Sequence, residues 1–520
     1  MPPKNRAVAI LKNATSNYAR QIIQIAIFVL LTPFIVAKLG TDNFGLWSLI
    51  QATIGLLGLM DMGFSTSVVK YVAEARGLGD RERLRRLTST FFWQYAGLGL
   101  ITMVATVVLV PFVPQILGIP PDRARSAQVV FALIGLRAAQ GLPLGLFAGI
   151  LVGYQQQLLS NICRVLGTAS YGLLAWWALS VSPTIETLAW VSLGTGLFAN
   201  LVSLVFCIRA APGVSLSPAN FRWSLLGEIS SFSLWFFLIQ VSLLLATRVD
   251  TIIINAVMPL AAVAVYTVAI RVAERASSLC RQLTNTLTPV IAELKGAGEE
   301  KNIRAVFLKG SMLAVAASVP MLAGLAWLAE DIGGVWMGEE FRASATPCRL
   351  LLAAALVGII HGNTENVLSM TGHQRYLALA TIGGQIMNLI LTLILVRHWG
   401  LAGVALATLL AQVTVQIFFV QARGGSLYHI GLMEYYGRVL WPSIPGAIAC
   451  VGSIWGLSLI LKPTSLLSIA ILLAVGGFAF LPAFWYLGIG RSERRYLAGR
   501  VKALFSRRKA PTATADEVPE

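Results

Sequence analysis

Charge is what this chain has least of. Only 12% of its 520 residues are Asp, Glu, Lys or Arg, about half the share of a water-soluble globular chain, and the mean hydropathy is +0.74. A soluble enzyme of this length would divide into several polar-surfaced domains. Here apolar runs of about 20 residues recur from residue 14 to residue 488 instead, each long enough to cross a bilayer. Cysteine is scarce too: Cys163, Cys207, Cys280, Cys348 and Cys450 stand singly, with no CxxC and no histidine at metal-ligand spacing. That excludes a disulfide framework and a structural zinc, and no metal is expected. GxxxxGK[ST], HExxH, GxSxG and DxD are all absent, so an enzymatic reading has little to stand on and no cofactor is expected. The first apolar run is too long for a signal-peptide core and lacks a small-residue cleavage site, so it is expected to stay as a membrane helix.

What is present is the pattern of an all-α polytopic membrane protein. About fourteen spans are expected, near 14–37, 44–67, 89–112, 125–152, 158–181, 186–207, 229–256, 259–283, 305–329, 346–369, 374–396, 401–421, 441–461 and 465–488. The net charge of +17 comes from 40 Lys and Arg against 23 Asp and Glu, a surplus that in a soluble protein would suggest nucleic acid. These residues lie between the spans on alternate sides, so no nucleic-acid partner is expected. Even-numbered gaps and both termini hold Lys4, Arg6, Lys12, Lys70, Arg76, Arg81, Arg83, Arg85, Arg86, Lys295, Lys301, Arg304, Lys309 and the run from Arg491 to Lys509. Odd-numbered gaps hold few, chiefly Lys38, Arg123, Arg125, Arg342, Arg397 and Lys462. By the positive-inside rule both termini are cytoplasmic, in the plasma (inner) membrane. The longest external loop is about 17 residues, around Asp331–Thr346, too short for a folded domain, so specificity belongs among the helices. The segment Arg491–Lys509 gathers Leu497, Val501, Leu504 and Phe505 on one face and basic residues elsewhere, as expected of a helix lying on an anionic leaflet, with a disordered basic tail as the alternative.

An internal repeat is visible. Ala73–Asp80 (AEARGLGD) matches Ala292–Glu299 (AELKGAGE) at an offset of 219, and the same offset relates Gln21 to Gln240, Ser65-Thr66-Ser67 to Thr284-Asn285-Thr286, and Gly153–Gln156 to Gly372–Arg375. The offset spans six helices, an even number, so both halves have the same orientation. The expected organisation is an N-terminal six-helix bundle at 1–220, a parallel repeat of it at 221–430, two extra helices at 431–490 and a basic cytoplasmic tail at 491–520. A six-plus-six parallel repeat suits an alternating-access carrier whose site lies between two bundles.

The stretch Pro33-Phe34-Ile35-Val36-Ala37-Lys38-Leu39-Gly40-Thr41-Asp42-Asn43-Phe44-Gly45-Leu46-Trp47-Ser48, then Leu59–Ser65 and the Ala73–Asp80 loop, resembles the opening of bacterial polysaccharide (O-antigen type) flippases. These belong to the multidrug, oligosaccharidyl-lipid and polysaccharide exporter superfamily. Arg248–Ile252 and Thr371–Gln374 fit the same pattern. The resemblance implies a flippase that moves an undecaprenyl-diphosphate-linked oligosaccharide from the cytoplasmic to the periplasmic leaflet for polysaccharide biosynthesis. A polysaccharide polymerase and chain-length machinery are the partners it implies.

Ionisable groups inside spans cost a few kcal/mol each, so they face a cavity or a partner. The candidates are Arg20, Asp61, Arg137, Arg164, Arg248, Asp250, Arg271, Glu274, Arg275, His361 and Glu365. In span 8, Thr267, Arg271, Glu274, Arg275, Ser278 and Gln282 recur at spacings of three and four, a polar stripe on one helix face. Gln240, Thr247, Asp250, Thr251 and Asn255 form a second face, and Asn13, Asn17, Gln21 and Gln24 a third. Three such faces suggest one shared cavity. Arg137, Arg271, Arg275, Arg248 and Arg20 are the expected cargo-binding cations, because guanidinium groups bind phosphate bidentately. Asp250, Glu274 and Glu365 are the expected ion-coupling carboxylates. The plainer alternatives are structural pairs, Arg271 with Glu274 and Arg248 with Asp250, a cap at Asp61, snorkelling by Arg20 and Arg164, and a mutual hydrogen bond between His361 and Glu365, one turn apart.

The surplus of cations fits an anionic lipid-linked oligosaccharide whose lipid tail stays in the bilayer. A drug or small-solute exporter would carry a less cationic interior, and a membrane-embedded polymerase or glycosyltransferase would require a catalytic external loop. The loop asymmetry makes a direct prediction. Single cysteines at Gly79, Gly298 and Ser506 are shielded from an impermeant thiol reagent in intact cells, whereas cysteines at Thr41 or Ser344 react. Labelling at Gly298 from outside would break the fourteen-span arrangement.

Overall fold

The structure, a computed structural model, describes residues 3–57, 64–227, 241, 248–285, 287–296, 298–491, 493–495 and 498. Among them there is helix and turn and no strand, as a bilayer demands of an open chain whose backbone groups must be satisfied internally. The helices that position the site are α1 (Pro3–Leu39), α2 (Thr41–Leu56), α3 (Phe64–Gly77), α4 (Arg81–Leu109), α5 (Ala124–Gly153), α6 (Gln157–Val181) and α7 (Ile185–Ala210). They are followed by α8 (Asp250–Val257), α9 (Leu260–Asn285), α10 (Thr288–Gly296), α11 (Glu300–Trp327), α12 (Ala345–Ile360), α13 (Gly362–Met370) and α14 (Gln374–Thr414). The chain closes with α15 (Leu432–Val439), α16 (Ile444–Ser458) and α17 (Leu466–Ala483).

Among the described residues ten helices are long and apolar enough to cross a membrane. The difference from fourteen has local reasons. The expected spans 374–396 and 401–421 form one run that folds back at Gly400, where φ is 54°. The expected span 44–67 crosses residues 58–63, and 229–256 crosses 228–240 and 242–247, which lie outside the described residues. The expected span 259–283 is present as α9, but its charged stripe lowers its hydropathy. Exposed Trp176, Trp177, Trp190, Trp399 and Trp455 lie toward one end, and Trp223, Trp441 and Tyr486 toward the other, the aromatic belts of two membrane surfaces.

The end that carries residues 76–86, 295–304 and 491–495 is here called the basic end. Packing partners recur along the chain. In the first half α4 lies on α5, α5 on α7, and α1 on α6; in the second α11 lies on α12, α12 on α14, and α8 on α14. The matched loops have matching backbones. Gly79 N–H donates to Arg76 and Asp80 N–H to Ala75, while Gly298 N–H donates to Lys295 and Glu299 N–H to Leu294, with φ of 70° at Gly79 and 73° at Gly298. Both are Schellman ends, whose left-handed residue suits glycine. The match of Gly153–Gln156 to Gly372–Arg375 is out of step by two. The left-handed residues there are Gln155 and Gly372, and the six-to-one bonds run from Gln156 to Leu151 and from His373 to Leu368. The backbone repeat in that loop therefore has an offset of 217, and the shared letters Gly and Gln fall at inequivalent positions.

The apolar core shows how the halves meet. Away from the basic end a single core joins residues of both halves, including Leu39, Leu46, Ile50, Phe131, Ile254, Tyr266, Leu352 and Val404. The other two cores each belong to one half: one is built from Val68 to Ala211 toward the basic end, and one from Ile291 to Ile489 runs the whole length of α11 to Leu328. Among the described residues the halves share an apolar core at one end and none at the other, and the space between their polar faces at the basic end is here called the cleft. Polar links brace the joined end: Trp336 Nε1 donates to the Val29 carbonyl at 2.7 Å, Asn255 Nδ2 to the Leu117 carbonyl at 2.6 Å, Arg123 pairs with Asp42 at 3.0 Å, and Thr41 bonds Glu340. Ser344 is buried there and bonds Phe341, so exposed Glu339 is the better position for an outside-reactive cysteine.

The closest approach in this seam is between α2 and α9. A Cβ on Gly45 would stand 2.1 Å from the Leu260 carbonyl oxygen, a backbone atom that cannot rotate away. Gly45→Ala is expected to force the halves apart at this end, at a cost of about 1–3 kcal/mol to the joined arrangement. In a background without native cysteines, a cysteine at buried Ile254 is then labelled several-fold faster by a water-soluble thiol reagent. Unchanged labelling would show that the seam is not the point of closure.

Candidate functional site

The walls of the cleft are built from the polar faces of α1, α6 and α9. On α1, Asn17, Gln21 and Gln24 repeat every three or four residues and share a face with Arg20. Asn161 of α6 donates to Ser16 Oγ at 2.9 Å and to Asn17 Oδ1 at 2.8 Å, and Gln157 donates to Asn17 at 3.3 Å. These bonds tie α6 to α1 and bring Arg164 toward Arg20. Across the cleft Gln21 Nε2 meets Ser278 Oγ of α9 at 3.5 Å.

Five guanidinium groups gather here, three of them, Arg248, Arg271 and Arg275, within reach of the Glu274 carboxylate. Arg164 and Arg275 are both close enough to repel Arg20, and Arg271 acts on both Arg248 and Arg275. Among the described residues Glu274 is the acidic group that acts on this set, and its Oε2 lies 3.3 Å from Arg271 Nη1. Both partners of that pair are about one-third exposed, so the pairing is worth at most about 1 kcal/mol. Arg20 also donates to Gln24 Oε1 at 3.0 Å, and Arg275 lies 5.7 Å from the Phe28 ring centroid. The Nε atoms of Arg20, Arg248 and Arg275 are buried without an acceptor. Desolvated donors of this kind call for a partner, and a phosphate oxygen is the acceptor whose geometry suits a guanidinium fork.

The other expected residues fall elsewhere. Arg137 on α5 is exposed and lies beside Gly196 of α7, where a Cβ would stand 3.0 Å from its Nε. Tyr171 of α6 is the ionisable side chain that acts on it, so Arg137 lies inside the first half, apart from the cluster, with no carboxylate beside it among the described residues. Arg248 and Asp250 do not pair. Arg248 turns toward Arg271 and Glu274, whereas two residues on, about 200° round the helix, Asp250 is only 2% exposed and accepts from Tyr266 OH at 3.0 Å. Thr392 and Thr408 of α14 also face that carboxylate, and the buried Asn388 Oδ1 and Thr392 Oγ1 make no hydrogen bond. His361 and Glu365 do not bond each other either. His361 sits between α12 and α13, with Nδ1 2.8 Å from the Val357 carbonyl and Nε2 2.9 Å from Tyr436 OH. Glu365 Oε1 accepts from Gln416 at 2.5 Å and feels the charge of Arg281. Asp61, Gln240, Thr247 and the side chain of Asn13 lie outside the described residues, as do 499–520, which hold most of the expected C-terminal helix.

Sequence reasoning missed Arg281, although it lies seven residues after Glu274, a spacing that returns to the same face. It also missed Tyr266 of α9 and Asn388, Thr392 and Thr408 of α14, which are uncharged; Asn388 and Thr392 do fall four apart, but Thr408 lies beyond the fold at Gly400 and Tyr266 on another helix. No group of three or more His, Cys, Asp or Glu side chains among the described residues is placed to hold a metal.

The cluster makes a prediction that separates binding from stability. Arg275→Gln removes a cation–π contact worth about 0.5–1 kcal/mol and also relieves repulsion with Arg20 and Arg271. Thermal unfolding of the purified protein should therefore shift by no more than about 2 °C, while calorimetric binding of inorganic pyrophosphate weakens about tenfold. Unchanged pyrophosphate binding would remove Arg275 from the site.

Comparisons with known proteins give a family and a fold. Residues 10–295 match the family described as polysaccharide biosynthesis protein. The probable low-salt glycan biosynthesis flippase of Haloferax volcanii is 22% identical over 445 residues, which cover 84% of this chain and 88% of the relative. Among solved structures, the lipid II flippase MurJ in an inward closed conformation superposes with a TM-score of 0.70 at 13% identity, over 91% of this chain and 97% of that one. An inward-facing multidrug resistance MATE family transporter of the MOP superfamily gives 0.69 at 16% identity, over 79% of this chain and 99% of that one. Both neighbours share the fold, a polytopic bundle of helices, and with more than half of its length matched the chain belongs to the polysaccharide biosynthesis protein family.

Proposed function

We propose that this multi-pass membrane protein is a flippase for a lipid-linked anionic oligosaccharide, with undecaprenyl diphosphate as the lipid carrier. The observation that carries the reading is the cleft at the basic end, where five arginines gather with one glutamate beside three of them and three Nε donors lack an acceptor. By the positive-inside rule that end faces the cytoplasm and the protein lies in the inner membrane with both termini cytoplasmic. The diphosphate head enters among Arg20, Arg248, Arg271 and Arg275, with Arg137 as a further cation within the first half, and the polyprenyl tail remains in lipid. The bundles at 1–220 and 221–430 then rock about the α2–α9 seam, so that the joined end opens as the basic end closes. Helices in 431–490 flank the second bundle, and a polymerase with its chain-length machinery takes the product outside.

The carboxylates supply a means of coupling. Asp250, with Tyr266, Asn388, Thr392 and Thr408 around it, is a buried oxygen-rich site on the second bundle, and Glu365 with Arg281 and Gln416 is a second. Glu274 lies among the arginines and tempers their hold on the head. A drug exporter is the competing reading, because a multidrug transporter shares this fold. The surplus of arginine opposes cationic drugs, whereas anionic cargo is drawn to it.

The test is complementation of a deletion strain. Loss of the protein is expected to leave lipid-linked glycan on the cytoplasmic leaflet, and Arg271→Gln or Arg275→Gln should restore less than one-tenth of export while inserting normally. Lysine at either position should keep part of the activity, through charge without the bidentate fork. Wild-type export by both glutamine variants would overturn the cationic-cleft mechanism, and normal outer-leaflet glycan in the deletion strain would overturn the flippase reading.

A further inference from the structure

Two cavities follow one another along a single face of α11, and none of their lining residues belongs to the arginine cluster. The first is about 260 Å³ and lies at the basic end, lined by Arg304, Leu308, Lys309 and Met312 of α11 with Arg438 and Glu493. The second is about 240 Å³ and is lined by Val319, Leu322 and Ala323 of α11, Leu356 of α12, and Leu440 and Ile444 beside them. Its wall is apolar apart from Arg349 and Ser443. Leu308, Met312, Val319 and Leu322 repeat at intervals of three, four and seven, which keeps them on one side of the helix. Seven residues separate Met312 from Val319, about 10 Å of helix rise. Each cavity is smaller than the roughly 300–1,000 Å³ that enclose a whole small ligand. Together they have the shape of an amphiphile, with a polar end at the membrane surface and an apolar end one layer deeper.

The charge at the polar end has a sign. Arg304 Nη2 lies 2.7 Å and Arg438 Nη2 3.3 Å from the same oxygen, Glu434 Oε1. Two guanidinium groups on one carboxylate leave one positive charge, and Arg438 is exposed. Lys309 and Glu493 add one charge of each sign at the lining. The pocket is therefore cationic by one unit where a lipid phosphate would lie, and a zwitterionic lipid would bring its own ammonium against Arg438.

We propose that this groove is a binding site for an anionic diacyl phospholipid of the surrounding bilayer. The phosphate sits among Arg304, Lys309 and Arg438, and one acyl chain runs along α11 into the apolar cavity. The site is independent of the cargo cleft and does not rest on the flippase reading. Glu434 limits its affinity, because it competes with the phosphate for both guanidinium groups.

The test is native mass spectrometry of the purified full-length chain, titrated with phosphatidylglycerol or phosphatidylcholine. One phosphatidylglycerol should be retained about tenfold more tightly than phosphatidylcholine. Arg304→Gln with Arg438→Gln should abolish that preference. Glu434→Gln should strengthen phosphatidylglycerol binding several-fold, a direction that loss of a structural ion pair would not give. Ala323→Phe, which fills the apolar cavity, should weaken both lipids alike. Equal retention of the two lipids by the parent, an unchanged preference in the double variant, or weaker phosphatidylglycerol binding by Glu434→Gln would each overturn the proposal. Displacement of phosphatidylglycerol by an equal concentration of undecaprenyl phosphate would overturn it in favour of an isoprenoid site.

Discussion

Gly45 and Leu260 meet without a side chain between them, and that backbone approach decides how the two halves are arranged. Because the Leu260 carbonyl occupies the space of a Cβ, α2 and α9 can approach closely enough to bury Leu46, Ile50, Val263 and Tyr266 in one continuous core. Small residues have this use in membranes, where lipid is as apolar as a leucine face and close packing rather than the hydrophobic effect holds helices together. With the halves joined there, the polar faces of α1, α6 and α9 are left toward the basic end, where Gln21 and Ser278 make a side-chain contact between them.

The same arrangement accounts for the arginines. A guanidinium inside a helix bundle in a bilayer is costly unless water, lipid headgroups or a counter-ion reach it. The basic end supplies access, which is why Arg164 is exposed and Arg20, Arg271 and Arg275 are partly so. Their mutual repulsion adds to the cost, and Glu274 offsets only part of it. A group of cations held together in this way is stabilised by whatever anion enters, so affinity for the anion and closure around it are physically coupled. Asp250 obeys the opposite rule. It is nearly inaccessible and is kept by uncharged hydroxyl groups rather than by a neighbouring cation.

Much of this could be read from the residues, and the parts that could not have identifiable causes. Length and apolar content marked the spans, because the bilayer imposes a fixed helix length, and the stripe Arg271, Glu274, Arg275 and Ser278 was visible because it repeats within one helix. The partner of a side chain on a different helix leaves no such trace. Arg248 and Asp250 are two apart, and a helix turns them to different neighbours, so their adjacency in sequence says nothing of pairing. His361 and Glu365 are correctly spaced for a mutual bond, yet the break in the helix at His361, with ψ near 0°, sends the imidazole to Tyr436 instead. The tenth loop misled for a different reason. There the shared Gly and Gln were aligned by letter, while the backbone places its left-handed residue at Gln155 in one copy and at Gly372 in the other.

That last difference bears on what makes matched turns equivalent. At Gly79 and Gly298 the turn needs a residue comfortable with positive φ, and nearly every replacement costs about 1 kcal/mol. The restriction acts equally on both turns, which accounts for glycine at both positions. At Gln155 the chain has already accepted the strain of a side chain in the left-handed region. Only the hydrogen bonds of the turn preserve the correspondence with Gly372. The equivalence of these two turns is thus carried by their carbonyls and amides, and a side-chain change at either leaves it intact as long as those bonds form.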